Sequence, residues 1–190
     1  MRHVLCAAAL LLSATAAAAQ TCWRGRQLPA CRRFWITESG ARFGRYESFA
    51  NHHVGSASAL GLMVNRSPGA ALGATLEFTT GGESGTYRLA VVPRYRRWIS
   101  GAVAFDLGLG VAVLGEGERA AGFKGMSALA ALNYRDLAMV TAALESRRGT
   151  STGTQTVGTV GIRCGAYLGA LVALASAAWG VVVASGSGPN

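Results

Sequence analysis

His52 and His53 stand between Ser48 and Ser56 in a polar stretch that also contains Glu47. An imidazole that takes the proton of a serine hydroxyl, and is itself held by a carboxylate, activates an acyl-transfer nucleophile; Glu47 or Glu83 would supply that carboxylate. His52, His53 and Ser56 are therefore the candidate catalytic residues. The same composition is also that of a solvated loop, and serine is common enough that spacing alone does not bring these side chains together.

A second set of reactive residue types is dispersed. Glu77, Arg88, Arg94, Asp106, Glu145 and Arg163 fall on one side of segments whose apolar residues fall on the other. If that side is enclosed, the charges must pair, because a buried ion without a partner costs several kcal/mol. An arginine–carboxylate network that plugs an interior is expected, in preference to a catalytic carboxylate pair. Cys22 and Cys31 bracket a short stretch containing Pro29, and an exported chain would close them into a disulfide. No second Cys or His pair lies near enough to complete a four-ligand metal site, so no metal is expected. Cys164 is left single. The glycine-rich stretches at 79–82 and 115–118 lack the strand-to-helix setting of a phosphate loop, and no cofactor is expected.

The elements that must position these residues begin after a leader. Arg2 and His3 precede an apolar run over 4–12, and the small residues that follow include Ala17 and Ala19 before Gln20. This reads as a signal peptide over 1–19, cleaved before Gln20. The formal charge is +9, and +8 without Arg2; Lys124 is the sole lysine. The arginines are scattered singly, not gathered on one face among aromatics, which argues against nucleic acid and for anionic lipid headgroups or lipopolysaccharide phosphates as partners.

From 34 to 163 the sequence alternates with period two. Leu72, Ala74, Leu76 and Phe78 oppose Gly73, Thr75, Glu77 and Thr79; Val103, Phe105, Leu107, Leu109, Val111 and Val113 oppose small residues and Asp106. Eight strands are expected, over 34–46, 56–66, 69–79, 85–97, 102–114, 124–133, 137–147 and 154–163. Each is near the length of about ten residues that crosses a bilayer as a tilted strand. Their connections alternate between tight (67–68, 98–101, 134–136) and longer (47–55, 80–84, 115–123, 148–153), which places both chain ends on the short-turn side and His52 and His53 on the opposite rim. Tyr95, Trp98 and Tyr134 are expected to ring the short-turn rim, with Phe78 and Tyr87 near the other.

In this pattern the chain resembles the small eight-stranded outer-membrane barrels of the outer membrane protein A and X type. The resemblance implies an all-β, antiparallel up-and-down barrel in the outer membrane of a Gram-negative-type envelope, with short turns in the periplasm. Some barrel enzymes that modify lipid A use a rim His and Ser, which gives the catalytic reading of His52, His53 and Ser56 its setting. The chain departs from that architecture by continuing past the last strand. Residues 166–184 carry no charge, are long enough for a spanning helix of about 30 Å, and show small residues at Gly165, Gly169, Ala173 and Ala177.

The expected organisation is a leader over 1–19, a disulfide-containing segment over 20–33, a barrel over 34–164, an apolar helix over 165–185 and a tail over 186–190. Three functions fit it. The first is a non-catalytic envelope barrel with a structural or surface-interaction role, whose C-terminal helix offers a contact for an envelope protein. The second is a lipid A-modifying hydrolase or acyltransferase. The third is a small ligand-binding periplasmic barrel anchored to the inner membrane by the helix. A pore is disfavoured, because eight strands enclose little more than side chains.

Overall fold

A computed structural model describes residues 21–45, 52–80, 87–116, 125–148 and 154–174. The leader, Glu47, Ser48, Glu83 and the tail from 175 onward lie outside the described residues. The elements are β1 (Thr21–Cys22), β2 (Arg33–Arg45), β3 (His52–Ser67), β4 (Ala70–Thr80), β5 (Tyr87–Trp98), β6 (Val103–Glu116), β7 (Met126–Tyr134), β8 (Ala138–Arg148), β9 (Thr154–Gly165) and a helix, α1, over 166–174. Strands β2 to β9 pair antiparallel in sequence order, and β9 returns to pair with β2, closing an eight-strand up-and-down barrel. The two-residue β1, which lacks any periodic signal, runs parallel to the start of β2.

The register fixes the shape. Stepping from partner to partner around the wall, from Arg33 through Val64, Leu72, Tyr95, Leu107, Ala130, Ala142 and Val160, the path returns to β2 at Phe43, ten residues from its start. Ten residues of rise against eight inter-strand spacings incline the strands by about 40° to the barrel axis. Three connections at one end are tight: Pro68-Gly69, 99–102 and 135–137. Both β2 and β9 meet the rest of the chain at that end.

Alternation sorts the side chains. On β5, Arg88, Ala90, Val92, Arg94, Arg96 and Trp98 are buried within, while Tyr87, Val91, Pro93, Tyr95 and Arg97 are exposed outside. The outer wall is apolar: Leu109, Leu144, Val160 and Ile162 are each about 60% exposed. The inner face carries a small apolar layer of Phe34, Ile36, Met63, Ala71, Trp98 and Ala104 near the short-turn end, and above it charges, threonines and glycines.

Two expectations are corrected. The chain around His52 and His53 is not a loop: both open β3, with backbones paired to Arg45 and Gly44, because β2 continues to Arg45 and an unpaired stretch would leave its amides and carbonyls without partners. Trp98 does not join an outer girdle. It shares the parity of Arg94 and Arg96 and turns inward, only 8% exposed, whereas Tyr95 and Tyr134 are outside and Phe78 stacks with Tyr87 near the other rim.

Helix α1 lies against the outside of the wall. Ala166, at φ 52°, reverses the chain out of β9, and its carbonyl accepts a hydrogen bond from Thr37 Oγ1 at 2.6 Å. Thr37 and Ser39 occupy outward positions on β2 yet are buried, and Ser39 shares a hydroxyl contact with Ser58 at 2.9 Å. The helix backbone comes so close that a Cβ on Gly169 would meet the carbonyl oxygens of Thr37 and Cys164. Outward from it point Tyr167, Leu168, Leu171 and Leu174, all exposed. Among the described residues no helix is long and apolar enough to cross a membrane. Gly169→Leu is expected to lift α1 and lower the unfolding free energy in urea by about 1–3 kcal/mol, while Leu168→Ala on the exposed face changes it little.

Candidate functional site

Ten ionisable side chains are buried among the described residues: Arg42, Arg88, Arg94, Arg96, Arg163, Glu38, Glu77, Glu145, Asp106 and Asp136. Five positive charges thus meet five negative ones inside the barrel wall. They sort by height along the barrel into three clusters.

The lowest is built on Arg96, whose side chain is fully buried. Its Nε and one terminal nitrogen hold Asp106 at 2.6 and 2.7 Å, and the other terminal nitrogen holds Asp136 Oδ1 at 2.7 Å. The guanidinium carbon lies 5.2 Å from the centre of the Phe34 ring and 5.1 Å from that of Trp98, so its faces meet aromatic π-density where its edges meet carboxylates. Asp136 reaches this position from a turn. Arg135 and Asp136 have φ of 54° and 52°, a conformation that costs a side-chain-bearing residue about 1 kcal/mol or more, and here it turns the carboxylate under the mouth of the barrel. Asn133 holds the turn, donating to Asp136 Oδ1 at 2.7 Å and accepting the Asp136 N–H at 2.8 Å.

The segment between the two cysteines closes this mouth. Cys22 and Cys31 form a disulfide. Gly25 N–H donates to Asp136 Oδ2 at 2.5 Å, and Asn65 Nδ2 donates to the carbonyls of Arg26 and Cys31, both at 2.7 Å. Asn65 Oδ1 accepts from Trp98 Nε1 at 3.0 Å, linking the plug to the aromatic ring over Arg96. Only glycine fits at 25, because a Cβ there would strike Asp136, Arg96 and Phe34. Trp23, at the edge of the plug, stacks on Tyr167 of α1 with centroids 5.8 Å apart.

Above it, Arg94 grips Glu38 through both terminal nitrogens at 2.5 and 2.9 Å, and Arg163 bridges Glu77 at 2.9 Å and Glu38 at 3.4 Å. Highest, Arg42 meets Glu145 at 2.5 Å, with Arg88 3.4 Å from the same oxygen and donating to Ser127 Oγ at 3.0 Å. Going upward, the clusters carry net charges of −1, 0 and +1. Together with Asn65 of β3 and with Ser127 and Asn133 of β7 they draw on all eight barrel strands and the β7–β8 turn.

All six charges expected inside are buried there, on β4, β5, β6, β8 and β9, each in one of these clusters. Glu38, Arg42, Arg96 and Asp136 complete the set without having been anticipated. The first three share the inward parity of their strands; Asp136 sits in a turn, where alternation has nothing to say. Of the catalytic candidates, the side chains of His52 and His53 lie outside the described residues, as do Glu47, Ser48 and Glu83, while the backbones of His52 and His53 pair with those of Arg45 and Gly44. Ser56 Oγ shares a hydrogen bond with Thr80 Oγ1 at 2.9 Å. Among the described residues no three His, Cys, Asp or Glu side chains converge as metal ligands.

Chemically, the interior is a lock. Each of its five carboxylates is held by at least one guanidinium group. Arg96→Met, which strands Asp106 and Asp136, is expected to cost about 3–5 kcal/mol in urea unfolding, with part of the loss recovered when Asp106→Asn and Asp136→Asn are added. The Cys22→Ser/Cys31→Ser variant is expected to lose about 2–3 kcal/mol and to exchange the Gly25 amide proton faster, with the barrel ladders unaffected.

No family model matches the chain, and no curated protein sequence matches it. Among solved structures, a chain described under "De novo design of transmembrane beta-barrels" is similar at 13% identity, covering 68% of this chain and 94% of that one with a TM-score of 0.38.

Proposed function

We propose that this is an integral outer-membrane barrel of a Gram-negative-type envelope, sealed along its axis, with a structural or surface-interaction role and no catalysis. The observation that carries the proposal is the inside-out distribution of polarity. A water-soluble barrel buries its apolar face and wets its outside; here the charges are within and the outside is hydrocarbon. On β6 the outward positions from Val103 to Val113 are uniformly apolar. Their ten residues of rise, inclined at about 40°, span about 25 Å along the axis, the height of the apolar band of membrane barrels. An exposed apolar surface of that extent calls for a lipid solvent.

The leader read over 1–19 and the short-turn rhythm support export with both chain ends in the periplasm. The plug and the three ion clusters occupy the axis, which supports a closed barrel. The same features weigh against an anchored ligand-binding barrel, whose outer wall would be wetter and whose interior would keep an apolar cavity.

Refolding the chain from residue 20 into phosphatidylcholine vesicles tests this. The expected result is flotation with the vesicles in urea, protection of the strands from protease, and no steady conductance in planar bilayers. Recovery as a soluble monomer, or stable open channels, would contradict it.

A further inference from the structure

The charge that is left after the interior cancels is not spread over the molecule. The segments that join strands at the long-connection end, with their flanks, contain Arg45, Arg119, Lys124, Arg147 and Arg148 against Glu47, Glu83, Glu116 and Glu118, a net of +1. At the short-turn end stand Arg24, Arg26, Arg32, Arg33, Arg66, Arg97 and Arg135, and the one carboxylate there, Asp136, is buried against Arg96. Seven of the nine net positive charges in the sequence therefore sit at one end.

Their placement is circumferential. Arg33, Arg66 and Arg97 are exposed at outward positions of β2, β3 and β5, and Arg135 is exposed in the β7–β8 turn. Each follows the last outward apolar or aromatic residue of the wall: Arg33 lies one alternation step below Trp35, Arg97 one step below Tyr95, Arg66 one step below Val64, and Arg135 sits 5.5 Å over the Tyr134 ring. One step is about 5 Å along the axis, which sets these guanidinium groups just beyond the aromatic and apolar residues, on the headgroup side of the wall. Arg24, Arg26 and Arg135 also line an open cleft of about 690 Å³ between the plug and the turns, together with Gln27 and Ser100.

We infer that the short-turn end is a binding surface for the phosphodiester headgroups of anionic glycerophospholipids, which fix the barrel's depth and direction in the bilayer. The inference rests on the membrane reading above. A ring facing sideways at headgroup depth fits a lipid leaflet; a soluble acidic partner would be met by charges on the underside alone. Guanidinium forks suit phosphate oxygens, and the near-absence of lysine is consistent with that chemistry.

The test is reconstitution into vesicles of phosphatidylcholine alone and of equimolar phosphatidylcholine and phosphatidylglycerol, with flotation in urea reporting insertion and native mass spectrometry reporting retained lipid. The wild-type chain is expected to insert in both and to retain phosphatidylglycerol preferentially. Arg33→Gln/Arg66→Gln/Arg97→Gln/Arg135→Gln should insert but lose that preference by at least about fivefold, the effect of a single arginine at an anionic surface, whereas the corresponding four Lys substitutions keep most of it. Equal retention of the two lipids by the inserted wild type, or undiminished preference in the Gln variant, overturns the inference and leaves the membrane reading standing. Failure of the wild type to insert in either vesicle overturns both. If the Gln variant does not fold, salt decides: the wild-type preference should fall between 0.15 and 1 M NaCl, with the screening length shrinking from about 8 to 3 Å, and a salt-insensitive preference overturns the inference. Preferential retention of lipid A over phosphatidylglycerol in the same assay would overturn the assignment to phospholipid.

Discussion

Ten formal charges enclosed by eight strands must cancel, and the demand that they do so organises this molecule. In the two upper clusters the pairs join strands that are distant in sequence: Arg94 of β5 to Glu38 of β2, Arg163 of β9 to Glu77 of β4, Arg42 of β2 to Glu145 of β8. A slip of one residue in any hairpin would carry its charges to the apolar outside and bring leucines in. The ion network thus adds specificity of register to a wall whose outward side chains, mostly apolar and interchangeable, supply little. Whether it adds net stability is a separate matter, since the desolvation of ten charges offsets much of their attraction.

The lowest cluster also explains the segment before β2. Asp136 makes a second negative charge beside Arg96, and its remaining oxygen takes the Gly25 amide, so the plug is part of the charge balance as well as a cover. The disulfide shortens the freedom of that loop, and the strained φ of Arg135 and Asp136 is sustained by the hydrogen bonds it makes available. At the other terminus, α1 meets a local exception in the wall. Thr37 and Ser39 interrupt the outward apolar series, and the helix shields them while presenting leucines in their stead.

That exception shows why some of the design was legible in the sequence and some was not. On β4, β5 and β6 the two faces contrast sharply, and period two alone assigns Glu77, Arg88, Arg94 and Asp106 to the inside. On β2 the outward residues Thr37 and Ser39 are polar because a helix covers them, so the contrast fades, and Glu38 and Arg42 carry no visible parity until the helix is placed. Arg96 and Trp98 were in phase with Arg94, yet a run of Arg, Arg and Trp before a turn has the look of a rim. The plug and Asp136 obey no period at all; their positions follow from a turn conformation and from partners more than 100 residues away. The histidines illustrate the opposite hazard, since a polar stretch that reads as a loop can continue a ladder when its partner strand is long enough to require it.

The proposed membrane placement sets lipid against the outward apolar side chains and neither lipid nor water against the inward ones. Spin labels placed singly at residues 72 to 79 of β4, in the chain folded into phosphatidylcholine vesicles, measure this directly through collision with oxygen, which concentrates in lipid, and with a water-soluble nickel complex. The outward positions Leu72, Ala74, Leu76 and Phe78 should show high oxygen and low nickel accessibility, and Gly73, Thr75, Glu77 and Thr79 low values for both. High nickel accessibility on the outward set, or no alternation between the two sets, would contradict a sealed barrel with its hydrocarbon face in the membrane.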